Sequence, residues 1–411
     1  MGTSAGRRRA LAKRRAAMGF SQEEFAHALG VDRTTVGRWE TGERDPQPWT
    51  RPTIATALHL SLGELDALLS ETEPVHTLAA GMVRRAADIP AQSGPGFEAR
   101  ERQSYIHANP GALDLVAVAQ LRKEIQNLDA RYETEPSTAL VAQCGQHLGQ
   151  VAHWHTYPLT HQVRRDLHAA YAEAATLMGQ LVWDASGRRD HATARAYFTH
   201  AATAARELGD PVAEGLALLR TSFVALYGDR NPKAGLELAQ HTATITGTTS
   251  HVLTGLAVLH TAEAHAMTGA RSQCERALSQ AETRLGRVDG SDAAAPLYAS
   301  TQFGRLAGSC YLALNDAARA QALLEETAAD SHDGSKASAI VHANLALAHT
   351  GQGHVHEAVA ALHAALDVVE QHRGGGGMSV AFSAGLALKP WRTTTAVGDV
   401  YDRLLTLMTA A

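Results

Sequence analysis

Arg33, Thr34, Thr35 and Arg38 share the outward face of one short predicted helix, whose opposite face is Val36 and Trp39, three residues apart. Guanidinium and hydroxyl groups set this closely can form hydrogen bonds to base edges in a major groove. Upstream, the run RRRALAKRRAAM over residues 7–18 predicts a basic helix. It turns Leu11 to the core and leaves Arg7, Arg8 and Arg14 free for phosphates, a source of affinity without sequence choice. Histidine is abundant and tempts a metal reading at His153-Trp154-His155 and His354-Val355-His356. Neither pair has the i, i+4 spacing or the nearby Cys/Asp set of a helical zinc site, so no metal is expected. GxSxG, Walker A, GxGxxG and HExxH motifs are absent, and nothing in the chain points to catalysis or to a cofactor.

The elements that position the basic face are short and well punctuated. Ser21, with Glu24 three residues on, forms a capping box for a helix through Phe25, Ala26 and Leu29. Gly30 supplies a turn, Asp32 opens the second helix, and Gly42 ends it. A fourth helix is expected from Thr50 or Arg51-Pro52 through Ile54 and Leu58, and a fifth from Ser61 with Leu62, Leu65 and Leu68. Ser21-Gln22, the turn AHALGV at 26–31 and Trp39-Glu40-Thr41-Gly42 closely resemble the Cro/C1-type (XRE) helix-turn-helix of bacterial and phage repressors, over roughly residues 11–69. The resemblance implies a phosphate contact from Gln22, base contacts from Arg33 and Thr34, and a base or phosphate contact from Arg38. It also implies a partly buried ion pair between Arg15 and Glu40. Gly37 departs from the longer side chain usual in that family.

A chain of 411 residues calls for two or three domains. Its Ala- and Gly-rich, aromatic-poor composition favours closely packed helices, so an all-α protein is expected. Residues 1–69 hold ten Arg/Lys against eight Asp/Glu, a balance of +2; the remaining 27 against 34 make -7. The basic share therefore lies where DNA would be. Cys144, Cys274 and Cys310 stand far apart, as small core residues of a reducing compartment do. With no apolar run of about 18 residues and no signal-peptide pattern, a cytoplasmic protein without membrane contact is expected.

Residues 71–110 read as a linker with one amphipathic segment, and helical periodicity then resumes. Ala194, Ala234, Cys274, Ala320 and Ala358 recur at intervals of 40, 40, 46 and 38. Leu345, Gly353, Ala358, Leu362 and Ala365 follow the spacing of the tetratricopeptide (TPR) repeat, and resemblance to TPR-like hairpins covers roughly residues 135–372. The expected order is a five-helix DNA-binding domain over 1–70, the linker, a TPR-like superhelix over 111–372, and a flexible Gly-rich break with a terminal helix over 373–411. The TPR register implies a concave groove lined by Arg220, Phe223 and Tyr227, then His260 and Glu263, then Gln302, Arg305 and Ser309, then Asn344. Arginine and amide side chains on successive helices suit a peptide backbone or carboxylate.

Joined in one chain, the two parts resemble the peptide-pheromone receptor regulators of the Rgg/PlcR/PrgX type. That resemblance implies a non-enzymatic, homodimeric transcriptional regulator of double-stranded operator DNA, with a signalling peptide in the groove. Two alternatives remain open: a small signalling molecule in the same groove, or an array that docks a partner protein.

Overall fold

In the computed structural model, residues 9–41, 44, 46, 50–60, 65, 68–69, 106, 109–331, 334–372 and 375–409 are described. The chain divides into two compact units, Met1–Ala91 and Gln92–Ala411. Among the described residues every regular element is a helix.

In the first unit α1 is Arg9–Ala17, α2 Gln22–Leu29, α3 Arg33–Glu40 and α4 Arg51–Ala57. The capping box forms as expected: Ser21 Oγ accepts from the Glu24 N–H at 3.1 Å, and Glu24 Oε2 accepts from the Ser21 N–H at 2.7 Å. Gly30 ends α2 at φ +65°, a left-handed conformation that glycine adopts without strain. Asp32 sits at the start of α3, but its side chain makes no capping bond. Leu11, Phe25, Val36, Trp39, Ile54, Leu58, Leu65 and Leu69 form one buried core. Most of the fifth expected helix, Gly42 and the 71–105 stretch lie outside the described residues.

The second unit is a chain of hairpins. Its helices are α5 Leu115–Ala130, α6 Ser137–Trp154, α7 His161–Ala185, α8 His191–Leu208, α9 Pro211–Phe223, α10 Pro232–Thr246, α11 His251–Met267, α12 Arg271–Leu285, α13 Thr301–Ala313, α14 Ala317–Asp330, α15 Lys336–Gly351, α16 Val355–His372, α17 Gly375–Ala387 and α18 Thr395–Thr409. Short polar side chains start them: Asp114, Thr160, Asp190, Asp210, Asn231, Ser250, Asp316 and Ser335 each accept a backbone N–H of the first turn. Odd-numbered helices lead each hairpin, and successive leading helices touch from α7 to α17.

One repeat position needs correcting. Ala194, Cys274, Ala320 and Ala358 are fully buried, but Ala234 is only half-buried, and the neighbouring Gly235 takes its place. A Cβ on Gly235 would fall 2.4 Å from Leu226 Cδ2, so only glycine lets α10 lie this close to the helix before it. The true intervals are thus 41, 39, 46 and 38 residues.

Nor do Gly375, Gly376 and Gly377, the described part of the glycine run, form a break. They are buried in the first turn of α17, and a Cβ on Gly377 would meet Ala339 Cβ at 2.6 Å. Absence of side chains, read from sequence as slack, here permits close packing. A last hairpin follows, with α18 burying Val397, Val400, Leu404 and Leu407. The three cysteines are free and buried, and burial pushes the Cys144 thiol up to about 12.

Candidate functional site

Two sites come out of these units, one in each. In the first, the end of α3 is anchored by Glu40, only 7% exposed. Its carboxylate accepts from Arg15 Nε at 2.6 Å and from Gln22 Nε2 at 2.7 Å. The expected Arg15–Glu40 pair is present, but it also takes the Gln22 amide that was expected to reach a phosphate. Arg14 differs too: its guanidinium donates to the Leu58 and His59 carbonyls at 3.1 and 3.2 Å, tying α1 to the end of α4. Those carbonyls are left open where α4 stops, and a nearby cation satisfies them. Arg33, Thr34 and Arg38 are exposed along α3, and Thr35 is half-buried beside them. Open space surrounds the Cβ position of Gly37. Arg7 and Arg8 lie outside the described residues.

In the second unit the leading helices α7, α9, α11, α13, α15 and α17 surround a cavity of about 500 Å³. Arg220, Phe223, Tyr227, His260, Glu263, Gln302, Arg305, Ser309 and Asn344 all line it, so the side chains expected in the groove share one space. Tyr227 reaches it because α9 continues as a π-helical turn, Val224–Gly228, which rotates the chain beyond its α-helical register. The Tyr227 hydroxyl donates to Glu263 Oε2. His260 Nδ1 lies within hydrogen-bond reach of the same oxygen, at 2.6 Å. Although Tyr227 is 36% exposed, its hydroxyl end is enclosed; burial, then Glu263, holds that proton well above the ordinary phenol range.

The opposite wall closes the array on itself. Lys336, at the first turn of α15, donates its backbone N–H to the Glu133 carbonyl at 3.0 Å and its Nζ to Ser137 Oγ at 2.9 Å. That ammonium also lies 4.0 Å from the centre of the Tyr132 ring. The Ala337 N–H donates to Glu133 Oε2 at 3.2 Å. Asp184, 1% exposed, accepts from the Tyr132 hydroxyl and from Arg188 Nε at 3.2 Å. Burial, then Asp184, raises the Tyr132 phenol well above its ordinary value, and burial lowers the Lys336 ammonium. Residues some 200 positions apart thus form a clasp.

Residues 11–65 match the helix-turn-helix family HTH_3. The first unit is a helix-turn-helix domain. The two helices of the motif are α2 and α3, and Arg33, Thr34 and Arg38 lie on the exposed face of the second. No curated protein matches the chain. Among solved structures, the chain is similar to a Rap protein complexed with competence and sporulation factor (10% identity, TM-score 0.42, covering 72% of this chain and 98% of that one). It is also similar to PlcR of Bacillus thuringiensis in complex with the peptide PapR7 and DNA (11%, 0.34, 79% and 96%). A third is the apo form of RapI (9%, 0.39, 72% and 77%).

Sequence reasoning missed the clasp residues Tyr132, Asp184, Arg188 and Lys336, together with Trp183, Ser379 and Ser383, which line the same cavity. The available signal was a lysine at a helix start, in a chain with few lysines; it could not say what that lysine touches. Among the described residues, no group of three or more His, Cys, Asp or Glu is placed to hold a metal, and no helix is long and apolar enough to cross a membrane.

Proposed function

We propose that this protein is a cytoplasmic, homodimeric transcriptional regulator: its helix-turn-helix reads operator DNA, and its hairpin array binds a signalling ligand that alters operator affinity. The carrying observation is a cavity of about 500 Å³, lined by six successive leading helices, in a chain that also has a helix-turn-helix domain. A simple repressor has no use for such a cavity. Guanidinium groups of Arg220 and Arg305 with amides of Gln302 and Asn344 can donate convergent hydrogen bonds to a peptide backbone and its carboxylate, so a short peptide is the preferred ligand. Base reading falls to Arg33, Thr34 and Arg38, with Thr35 beside them.

Selection of binding sites from random duplexes with the full chain tests the first half. Two-fold symmetric sites are expected, with half-sites about 10 base pairs apart or a multiple of that. Arg33→Ala should cost about 1 to 3 kcal/mol on the selected site and little on random DNA. Equal losses on both would reduce Arg33 to a phosphate contact. For the second half, a peptide-rich extract should shift operator affinity by roughly 5- to 150-fold and lose that effect after protease treatment. A shift that survives protease points to the small molecule instead.

A further inference from the structure

We propose that the cavity is an anion receptor, whose ligand docks a carboxylate or similar acidic group against Arg220, Gln302 and Arg305. This rests on the cavity being the ligand site.

Charge is the first support. The lining carries Arg188, Arg220, Arg230, Arg305 and Lys336 against Glu133, Asp184 and Glu263, a balance of +2 with neutral histidine, although residues 70–411 as a whole are at -7. Every one of the three carboxylates is engaged by the protein itself: Glu133 by Ala337, Asp184 by Tyr132 and Arg188, Glu263 by His260 and Tyr227. On the outer faces of the array arginines find acids, as in Arg122–Glu173, Arg206–Glu214, Arg271–Asp316 and Arg403–Asp367. Arg220, Arg230 and Arg305 form no ion pair among the described residues, in a unit rich in acids; the half-buried Asp129, whose carboxyl pKa burial raises and Arg220 lowers, is the acid whose charge reaches Arg220.

Unmet hydrogen bonds are the second. Trp183 is 3% exposed and lines the cavity, yet its Nε1–H has no acceptor. Among the described residues Arg220 Nε–H has none either, and Gln302 Oε1 has no donor. Buried polar atoms of folded proteins are nearly always paired, so three orphans on one cavity mark where a ligand's atoms belong. Two donors and one acceptor ask for a ligand with acceptor oxygens and at least one donor. Arg220 stands 5.3 Å from the Phe223 ring, which lies 6.0 Å from Tyr227, and the charge of Arg305 acts on the Tyr227 phenol, so the two guanidinium groups flank one aromatic cluster. Phe223, Met267, Leu297, Ile340 and Val380 offer an apolar bed. A cation would meet net positive charge, and a neutral ligand would leave Arg230 and Arg305 without an ion-pair partner among the described residues. The volume admits a small acid or a few residues of peptide but no polyanion.

The test compares two fluorescent probes of one scaffold on the full chain: anilinonaphthalene sulfonate and its uncharged analogue N-phenylnaphthylamine. The sulfonate should bind one per chain, about tenfold tighter than the analogue. Arg220→Gln and Arg305→Gln should each weaken the sulfonate by a similar factor and leave the analogue unchanged, which also reports that the variants are folded. Equal affinity for the two probes, or equal weakening of both by either variant, overturns anion recognition while leaving the cavity as a ligand site. If neither probe binds saturably, the cavity's role falls with it. Displacement of the sulfonate by a tetrapeptide with a free C-terminal carboxylate, but not by its amide, assigns the anion to a peptide end; displacement by decanoate alone assigns it to a free acid.

Discussion

The two walls of the cavity are built from the same kinds of residue and differ in whether those residues have found one another. On the clasp side Asp184, Arg188, Tyr132 and Lys336 answer each other's charge and hydrogen bonds across some 200 residues of chain. On the facing side, around Phe223 and Tyr227, the Arg220 and Arg305 guanidinium groups form no ion pair among the described residues, and Arg220 Nε and Gln302 Oε1 find no hydrogen-bond partner there. Polar groups that satisfy one another hold a fold in place. Those left unmet cost stability and are kept where a ligand meets them. The clasp wall therefore shapes the cavity, and the facing wall is free to recognise.

That contrast is sharpest at Asp184. Asp184→Ala strands the Arg188 guanidinium and the Tyr132 hydroxyl, and should destabilise the second unit by roughly 3 to 5 kcal/mol in denaturant unfolding. A loss under about 1 kcal/mol would mean that the clasp pairing contributes little. Next in size is Gly304, between Gln302 and Arg305 on α13. A Cβ there would stand 2.1 Å from Thr327 Oγ1, so Gly304→Ala should cost about 1 to 3 kcal/mol and weaken sulfonate binding, with partial rescue by Thr327→Ala.

Alkaline pH examines the clasp again. The folded chain keeps the Tyr132 proton above the ordinary phenol value, whereas the unfolded chain releases it near pH 10, so the stability present below that pH is lost as pH rises past it. Tyr132→Phe should flatten the alkaline decline by up to about 1.4 kcal/mol per pH unit. A decline unchanged by the substitution would assign it to other groups. Smallest is the effect of Arg305→Gln on stability, within about 0.5 kcal/mol, because no internal partner is lost. A destabilisation of several kcal/mol there would make the facing wall structural after all.

Local signals in the chain account for much of this architecture. Ser21 with Glu24, Gly30, and the Val36–Trp39 spacing act within a few residues, and α2 and α3 form where those residues require. The groove residues were legible for a related reason: a helix repeats its face every three to four residues, so one hairpin register places Arg220, His260, Arg305 and Asn344 on inner faces together. The same reasoning slipped by one residue at Ala234. Gly235 carries no side chain to mark a buried position, and only the nearness of Leu226 shows what it is for.

What the sequence by itself determined, then, is whatever a cap, a turn or a helical period can specify at short range: the all-helical class, the exposed face of α3 and the inner face of the array. Tertiary structure alone decided which groups are satisfied. Glu40 claims the Gln22 amide, the end of α4 claims Arg14, and Glu133 meets Lys336, while Arg220 and Arg305 form no ion pair among the described residues. Hydrogen bonds and ion pairs depend on distances of about 3 Å. Between residues some 200 positions apart, the accumulated rise and turn of the nine helices α6 to α14 sets that distance, and no short-range pattern records it.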